Sequence, residues 1–318
     1  MSRDDKQKTL DKFAEMVKAA PNDHRIMHSR GTLYLYSNMF KEALQQFTEV
    51  IKRAPNYAEA YLGRSLVNIK LNDYKAALQD CNEVVRLCPE NAEAHYNRGV
   101  FLDQLDDYKG AFQSYSEAIR IKPDYVDAYN NRGLIYSTKL GDTKAALRDH
   151  TASVKYDPND ATRYTNRGNL YMIMGDNEAA IKDYNEAIRL RPKLATIWYN
   201  RARVYESVSK FKEALFDYTE AIRIKPDYVS AYNNRGLLYF QQMNDFKSAL
   251  LDFNEAIKLN PKNAVAYVNR ANLYLAMNDY KSALQNYNQA IGLKPDIQVL
   301  PIVHNNRAIA YKNLGSLR

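Results

Sequence analysis

Little in this chain could carry out covalent chemistry. Its 318 residues include only 2 cysteines, 5 histidines and 1 tryptophan. Cys81 and Cys88 are 7 residues apart in what reads as one helix, so at 1.5 Å rise per residue they stand roughly 10 Å apart, out of disulfide reach. They suit a reducing compartment and make no zinc set. His24, His28, His95, His150 and His304 are scattered without metal-ligand spacing, so neither a metal nor a cofactor is expected. The 11 glycines fall singly, which excludes a phosphate-cradling loop, and the paired carboxylates sit where helix caps are needed. An enzyme is not expected. No apolar run reaches the length of a membrane span. The start, Met1-Ser2-Arg3-Asp4-Asp5-Lys6, places acids where a secretory signal needs an apolar stretch, so the cytoplasm is the expected compartment.

What the chain does have is a period. Proline recurs at Pro21, Pro55, Pro89, Pro123, Pro158, Pro192, Pro226, Pro261 and Pro295, at a spacing of 34 residues with two steps of 35. Between prolines helical periodicity appears twice, split by a short polar turn, so each unit reads as a helix–turn–helix hairpin. The expected organisation is a lone helix within residues 1–23, then eight units at 24–57, 58–91, 92–125, 126–160, 161–194, 195–228, 229–263 and 264–297. Residues 298–318 read as a partial ninth unit, with a first helix around His304–Tyr311 after an irregular stretch at Pro301.

The unit's residues have packing roles. The twentieth place is always Ala, from Ala43 to Ala283, and the eighth is Gly, Ala or Ser, as in Gly31, Ser65, Gly99 and Ala202. Small side chains there let two helices approach while aromatics such as Tyr61, Trp198, Tyr115, Tyr218 and Phe253 fill the space around them. Second helices open on pairs such as Asn72-Asp73 and Gly175-Asp176, which suit N-caps, and close on a basic residue and proline. An arginine holds the seventh place of every unit: Arg30, Arg64, Arg98, Arg132, Arg167, Arg201, Arg235 and Arg270. The second helix returns acids at Asp80, Asp149, Asp183, Asp217 and Asp252, and at glutamates such as Glu83, Glu117 and Glu220. These arginines are expected to pair with these acids between helices, as structural ions. The charge is spread periodically, so nucleic acid is the weaker reading.

The stretch Tyr232-Asn233-Asn234-Arg235-Gly236-Leu237-Leu238-Tyr239, followed by Ala249, Phe253, Ala256 and Pro261, resembles the tetratricopeptide motif. The resemblance implies an all-α, right-handed superhelical solenoid whose first helices line a concave groove. It implies a scaffold or adaptor binding a peptide or partner helix. Alternatives are an RNA-binding helical-repeat protein, or a subunit of a larger assembly such as ciliary or trafficking machinery. Some members clamp the C-terminal carboxylate of chaperones through a lysine at the fifth place. Here that place holds His28, Leu62, Tyr96, Asn130, Thr165, Tyr199, Asn233 and Val268, none a lysine or arginine, so that mode is not expected.

Two further features bear on function. Residues 115–136 and 218–239 match at 19 of 22 places, so a three-unit block reads as duplicated and two similar docking surfaces are expected. Asparagine stands at the sixth place of six consecutive units, as Asn97, Asn131, Asn166, Asn200, Asn234 and Asn269, with Asn306 continuing the series. Amides carry a donor and an acceptor, so such a row can hold an extended peptide backbone, with Tyr96, Asn130, Tyr199 and Asn233 adding selectivity. Alternatively, the amides bridge adjacent units. Thr143, His150 and Asn177 replace expected aromatics, and Asn68 an expected Tyr, which makes residues 137–180 the expected soft segment.

Overall fold

The structure is a computed structural model that describes residues 3–20, 23–294 and 300–316. Of the residues named from the sequence, Met1, Ser2, Pro21 and Pro295 lie outside these, as do both ends of the expected ninth unit at 298–318. Among the described residues every regular element is helical. The helices gather into two compact units, Met1–Pro158 and Asn159–Arg318. The first holds α1 (Arg3–Ala19), α2 (His24–Tyr36), α3 (Phe40–Arg53), α4 (Ala58–Lys70), α5 (Tyr74–Leu87), α6 (Ala92–Gln104), α7 (Tyr108–Ile121), α8 (Val126–Ile135) and α9 (Thr143–Tyr156). The second holds α10 (Ala161–Met174), α11 (Asn177–Leu190), α12 (Ala195–Ser207), α13 (Phe211–Ile224), α14 (Val229–Met243), α15 (Phe246–Leu259), α16 (Ala264–Ala276), α17 (Tyr280–Gly292) and α18 (Leu300–Ser316). Within each unit every helix packs on the next in sequence, and alternate first helices touch, as α2 touches α4 and α14 touches α16.

The turns follow from their residues. A left-handed residue ends each first helix: Asn72 (φ 59), Asp106 (φ 61), Asn278 (φ 60), or Gly141 (φ 68) and Gly175 (φ 78), where only glycine is free of strain. In six of the eight hairpins the next residue is an aspartate that caps the second helix, whereas Met39 and Lys210 at that place form no side-chain cap. Asp73 accepts from the Ala76 amide at 3.0 Å and Asp142 from that of Ala145 at 2.9 Å. At three of these boundaries the proline after a second helix does more than stop it. Its carbonyl accepts from the fourth-place ring of the next unit: Tyr61 to Pro55 at 3.1 Å, Tyr129 to Pro123 at 3.1 Å and Trp198 to Pro192 at 2.9 Å. The His95 Nε2 sits 2.9 Å from the Pro89 carbonyl in the same way. A polar-tipped ring is therefore useful at that place, where phenylalanine could not bond.

The eighth-place glycines are seats for a ring from the second helix. A Cβ on Gly99 would stand 2.6 Å from the Tyr115 ring, and one on Gly236 2.8 Å from that of Phe253. His150 takes the same seat over Gly133 and is buried, so it fills the aromatic place it seemed to vacate. Asn68 is likewise buried, donating to Asp80 at 3.3 Å. The extra residue of the two longer units is absorbed differently. In the first unit it becomes a π turn over Tyr136–Leu140; in the second it lengthens α14, which ends at the left-handed Asn244. Pro301 also differs from expectation. It is the second residue of α18, where its missing N–H would have had no helical partner anyway.

Candidate functional site

The arginines form a ladder. Arg64 pairs with Asp80 at 2.6 Å, Arg132 with Asp149 at 2.8 Å, Arg167 with Asp183 at 2.7 Å, Arg201 with Asp217 at 2.7 Å and Arg235 with Asp252 at 2.8 Å. Where the aspartate is missing, Arg98 donates to Ser114 at 3.0 Å and Arg270 to Asn286 at 2.8 Å. The Asp183 carboxylate holds the Arg167 guanidinium above its ordinary value, against the effect of burial. Several arginines also reach the preceding hairpin, as Arg132 does to Ser116 at 3.2 Å and Arg235 to Thr219 at 3.2 Å. Aromatics cover them, with Arg201 5.0 Å from the Trp198 centroid and 5.5 Å from that of Tyr205. The glutamates expected to share this role do not. Glu83, Glu117, Glu186 and Glu220 instead bind Arg86, Arg120, Arg189 and Arg223 one turn along their own helices, because Asp alone sits on the inward face.

The asparagine row lies beside this ladder. Asn97, Asn131, Asn166, Asn200 and Asn234 are half-buried, and Asn269 is buried. In the first unit Asn131 donates to the Tyr115 hydroxyl at 3.4 Å and accepts from Asn130 at 3.2 Å. In the second unit Asn200 donates to Asn169 Oδ1 at 3.0 Å, an atom that also accepts from Tyr184 at 2.6 Å. Asn234 donates to the hydroxyls of Tyr199 at 3.2 Å and Tyr218 at 3.3 Å. Asn306 donates to Asn272 at 3.0 Å, which accepts from Tyr287 at 2.6 Å. Each of these side-chain amides thus ties its hairpin to the preceding one. The acceptor oxygens of Asn200 and Asn234 receive no donor from the described residues.

The four flanking residues divide. Tyr96 packs on Tyr125 at 5.0 Å and Tyr199 on Tyr228 at 4.9 Å, as the duplicated block requires. Asn130 and Asn233 are buried, and Asn233 Oδ1 and Asn269 Nδ2 have no hydrogen-bond partner among the described residues. Burial pushes the phenols of Tyr125 and Tyr228 up to about 12. It also raises the phenols of Tyr115, Tyr184 and Tyr218. Cys81 and Cys88 are free thiols, and burial pushes that of Cys81 up to about 12.

Sequence reasoning missed the apolar members of this face. Helical spacing puts the ninth and thirteenth places on the same side as the sixth. Leu66 and Leu134 at the ninth are 48% and 39% exposed, and Tyr36 and Ile173 at the thirteenth are 76% and 70% exposed. Large apolar residues recurring at the ninth place, Leu66, Val100, Leu134 and Leu237, were the available signal. Among the described residues no helix is long and apolar enough to cross a membrane, and no group of potential metal ligands gathers.

Family models described as TPR repeat match residues 102–139, 168–208 and 209–243. Models described as tetratricopeptide repeat match residues 28–92, 126–160, 229–263 and 264–297. The chain belongs to the tetratricopeptide repeat family. No curated protein matches it in sequence. Among solved structures it is similar to the C-terminal part of a TPR repeat-containing protein from Cytophaga hutchinsonii, with TM-score 0.63 and 18% identity over 76% of this chain and 98% of that one. A tetratricopeptide repeat protein from Parabacteroides merdae gives TM-score 0.59 and 19% identity over 80% and 98%. YrrB, described as a TPR protein with an unusual peptide-binding site, gives TM-score 0.50 and 23% identity over 57% and 92%. At these identities the structures show a common solenoid fold. As a tetratricopeptide repeat chain, the protein is in general terms an interaction scaffold, and none of the matching family models describes an enzyme.

Proposed function

We propose that this tetratricopeptide repeat chain is a cytoplasmic adaptor that binds an extended peptide or a partner helix on the face of its first helices. The eight hairpins of residues 24–297 form the binding array in this reading. The observations that carry it are made in each compact unit by itself: Tyr36, Leu66 and Leu134 are exposed on first helices of the first, and in the second Ile173 is exposed while the half-buried amides of Asn200 and Asn234 retain free acceptor oxygens. Apolar side chains left in water beside oriented hydrogen-bonding groups suit a ligand with both an apolar face and polar backbone atoms. Five seventh-place arginines are paired with aspartates, so this ladder offers no free cations to the phosphates of an RNA.

The test begins with proximity labelling to recover partners, followed by calorimetry with the best of them. Changing Leu66 and Leu134 to Lys is expected to weaken binding by at least about tenfold with helicity retained. Unchanged affinity would remove this face from the function. Changing Asn166, Asn200 and Asn234 to Ala separates the amides. Unchanged affinity in a folded triple variant assigns them to bridging alone.

A further inference from the structure

The two copies of the duplicated block differ at one hydroxyl. In the second copy the Tyr218 hydroxyl is saturated: it donates to Glu206 at 2.7 Å and accepts from Asn234 at 3.3 Å. Tyr184 and Tyr287 also donate, to Asn169 and Asn272 at 2.6 Å each. Tyr115 does not. It is 1% exposed, accepts from Asn131 at 3.4 Å, and its O–H donates to no described residue. The reason is one methylene. The place of Glu206 is taken by Asp103, whose shorter side chain forms no described hydrogen bond or ion pair and stays exposed. Next to it, α6 carries Val100 where Asn169 and Asn272 supply an acceptor, so nothing in this hairpin replaces the missing one.

Tyr115 lines a cavity of about 560 Å³ on the face of α6 and α8, together with Asp103, Asp106, Asn131, Leu134 and Lys139. A buried hydroxyl without an acceptor costs free energy unless something fills the role. A carbonyl oxygen is a suitable occupant. The lining adds two carboxylates against one ammonium, at Lys139 on the π turn, with Val100 and Leu134 as apolar wall.

Building on the adaptor reading above, we propose that this cavity is a specificity pocket for an arginine or lysine side chain of an extended peptide. The carboxylates of Asp103 and Asp106 meet the cation, and Val100 and Leu134 pack on its methylenes. The Tyr115 hydroxyl donates to a main-chain carbonyl of the same peptide. In the second copy Glu206 closes the equivalent place by occupying Tyr218, so the two surfaces of the duplication differ in specificity.

Fluorescent nine-residue peptides of Gly, Ser and Ala with one central Arg, Lys, norleucine or Glu are the probes, titrated by anisotropy against the full chain. The Arg and Lys peptides are expected to bind at least about fivefold tighter than the norleucine peptide, with Glu weakest. Asp103→Glu gives Tyr115 the acceptor that Tyr218 has, and should erase the preference while circular dichroism is unchanged. Asp106→Asn, at an exposed site, should reduce it. Equal binding of Arg and norleucine peptides, or a preference that survives Asp103→Glu, overturns the pocket and leaves the adaptor reading standing. Absence of binding by all four peptides also overturns it, and the Leu66 and Leu134 variants then decide the adaptor reading separately.

Discussion

Arg201 and Asp217 face each other across one hairpin in a two-pronged bond, Nε to Oδ2 and Nη2 to Oδ1 at 2.7 Å each. Asp217 is 1% exposed, so its charge has almost no water to fall back on. The same two-pronged geometry recurs for Arg132 with Asp149, Arg167 with Asp183 and Arg235 with Asp252. A planar guanidinium matches a carboxylate in this way and an ammonium does not, which is why lysine never holds the seventh place.

Removing one partner should therefore be costly. Asp217→Ala is expected to destabilise by about 3–5 kcal/mol in urea melts, because it leaves a buried cation. Arg201→Met with Asp217→Leu should cost much less than the sum of the single changes. Purely additive single effects would show that the pair is not coupled.

The ring seats predict a sharp contrast between glycines. Gly99→Ala drives a methyl against the Tyr115 ring and should cost about 1–3 kcal/mol. Gly292→Ala meets nothing within 4 Å and should be neutral or slightly stabilising. Similar melting temperatures for the two variants would contradict the seat.

Alkaline pH should unfold the protein earlier than its charge alone suggests. Tyr125, Tyr228 and Tyr287 are raised from 10.0 to about 12 by burial. Because the folded values are raised, the contribution is fully present below pH 10 and is lost as pH climbs from 10 towards 12. Melting temperature should fall across that window, with tyrosinate absorbance rising as the chain unfolds. A flat profile between pH 9 and 11.5 would count against the burial of these phenols.

Hydrogen exchange should find residues 137–180 less protected than 195–260. His150 fills its seat, but Thr143 and Asn177 still open α9 and α11 without a ring, and the π turn lies at the start of the segment. Thr143→Tyr should slow exchange there. Equal protection in both segments would contradict a local weakness.

The period, the hairpins, the arginine–aspartate pairing and the glycine seats were all legible because each is a short-range rule repeated many times. Repetition averages away single exceptions such as Cys81, which stands at the place held by Phe47 and Tyr115 in the neighbouring units. Pro301 was misread because proline is tolerated in a first helical turn, and a single residue does not say which side of a boundary it stands on. His150 was misread because hydrophobicity scales score it as polar, while in the fold it is a ring of suitable size.

The sequence by itself determined the repeat, most helix ends and the small-residue, aromatic and arginine–aspartate places of the core, since these depend on spacing and on local backbone preferences. Only the tertiary structure decided where the amide and hydroxyl hydrogen bonds go. The Tyr115 and Tyr218 segments are nearly identical, yet one hydroxyl is saturated and the other is not. The difference lies in Asp103 against Glu206, residues of another helix, and a hydrogen bond fails when its acceptor falls a single methylene short.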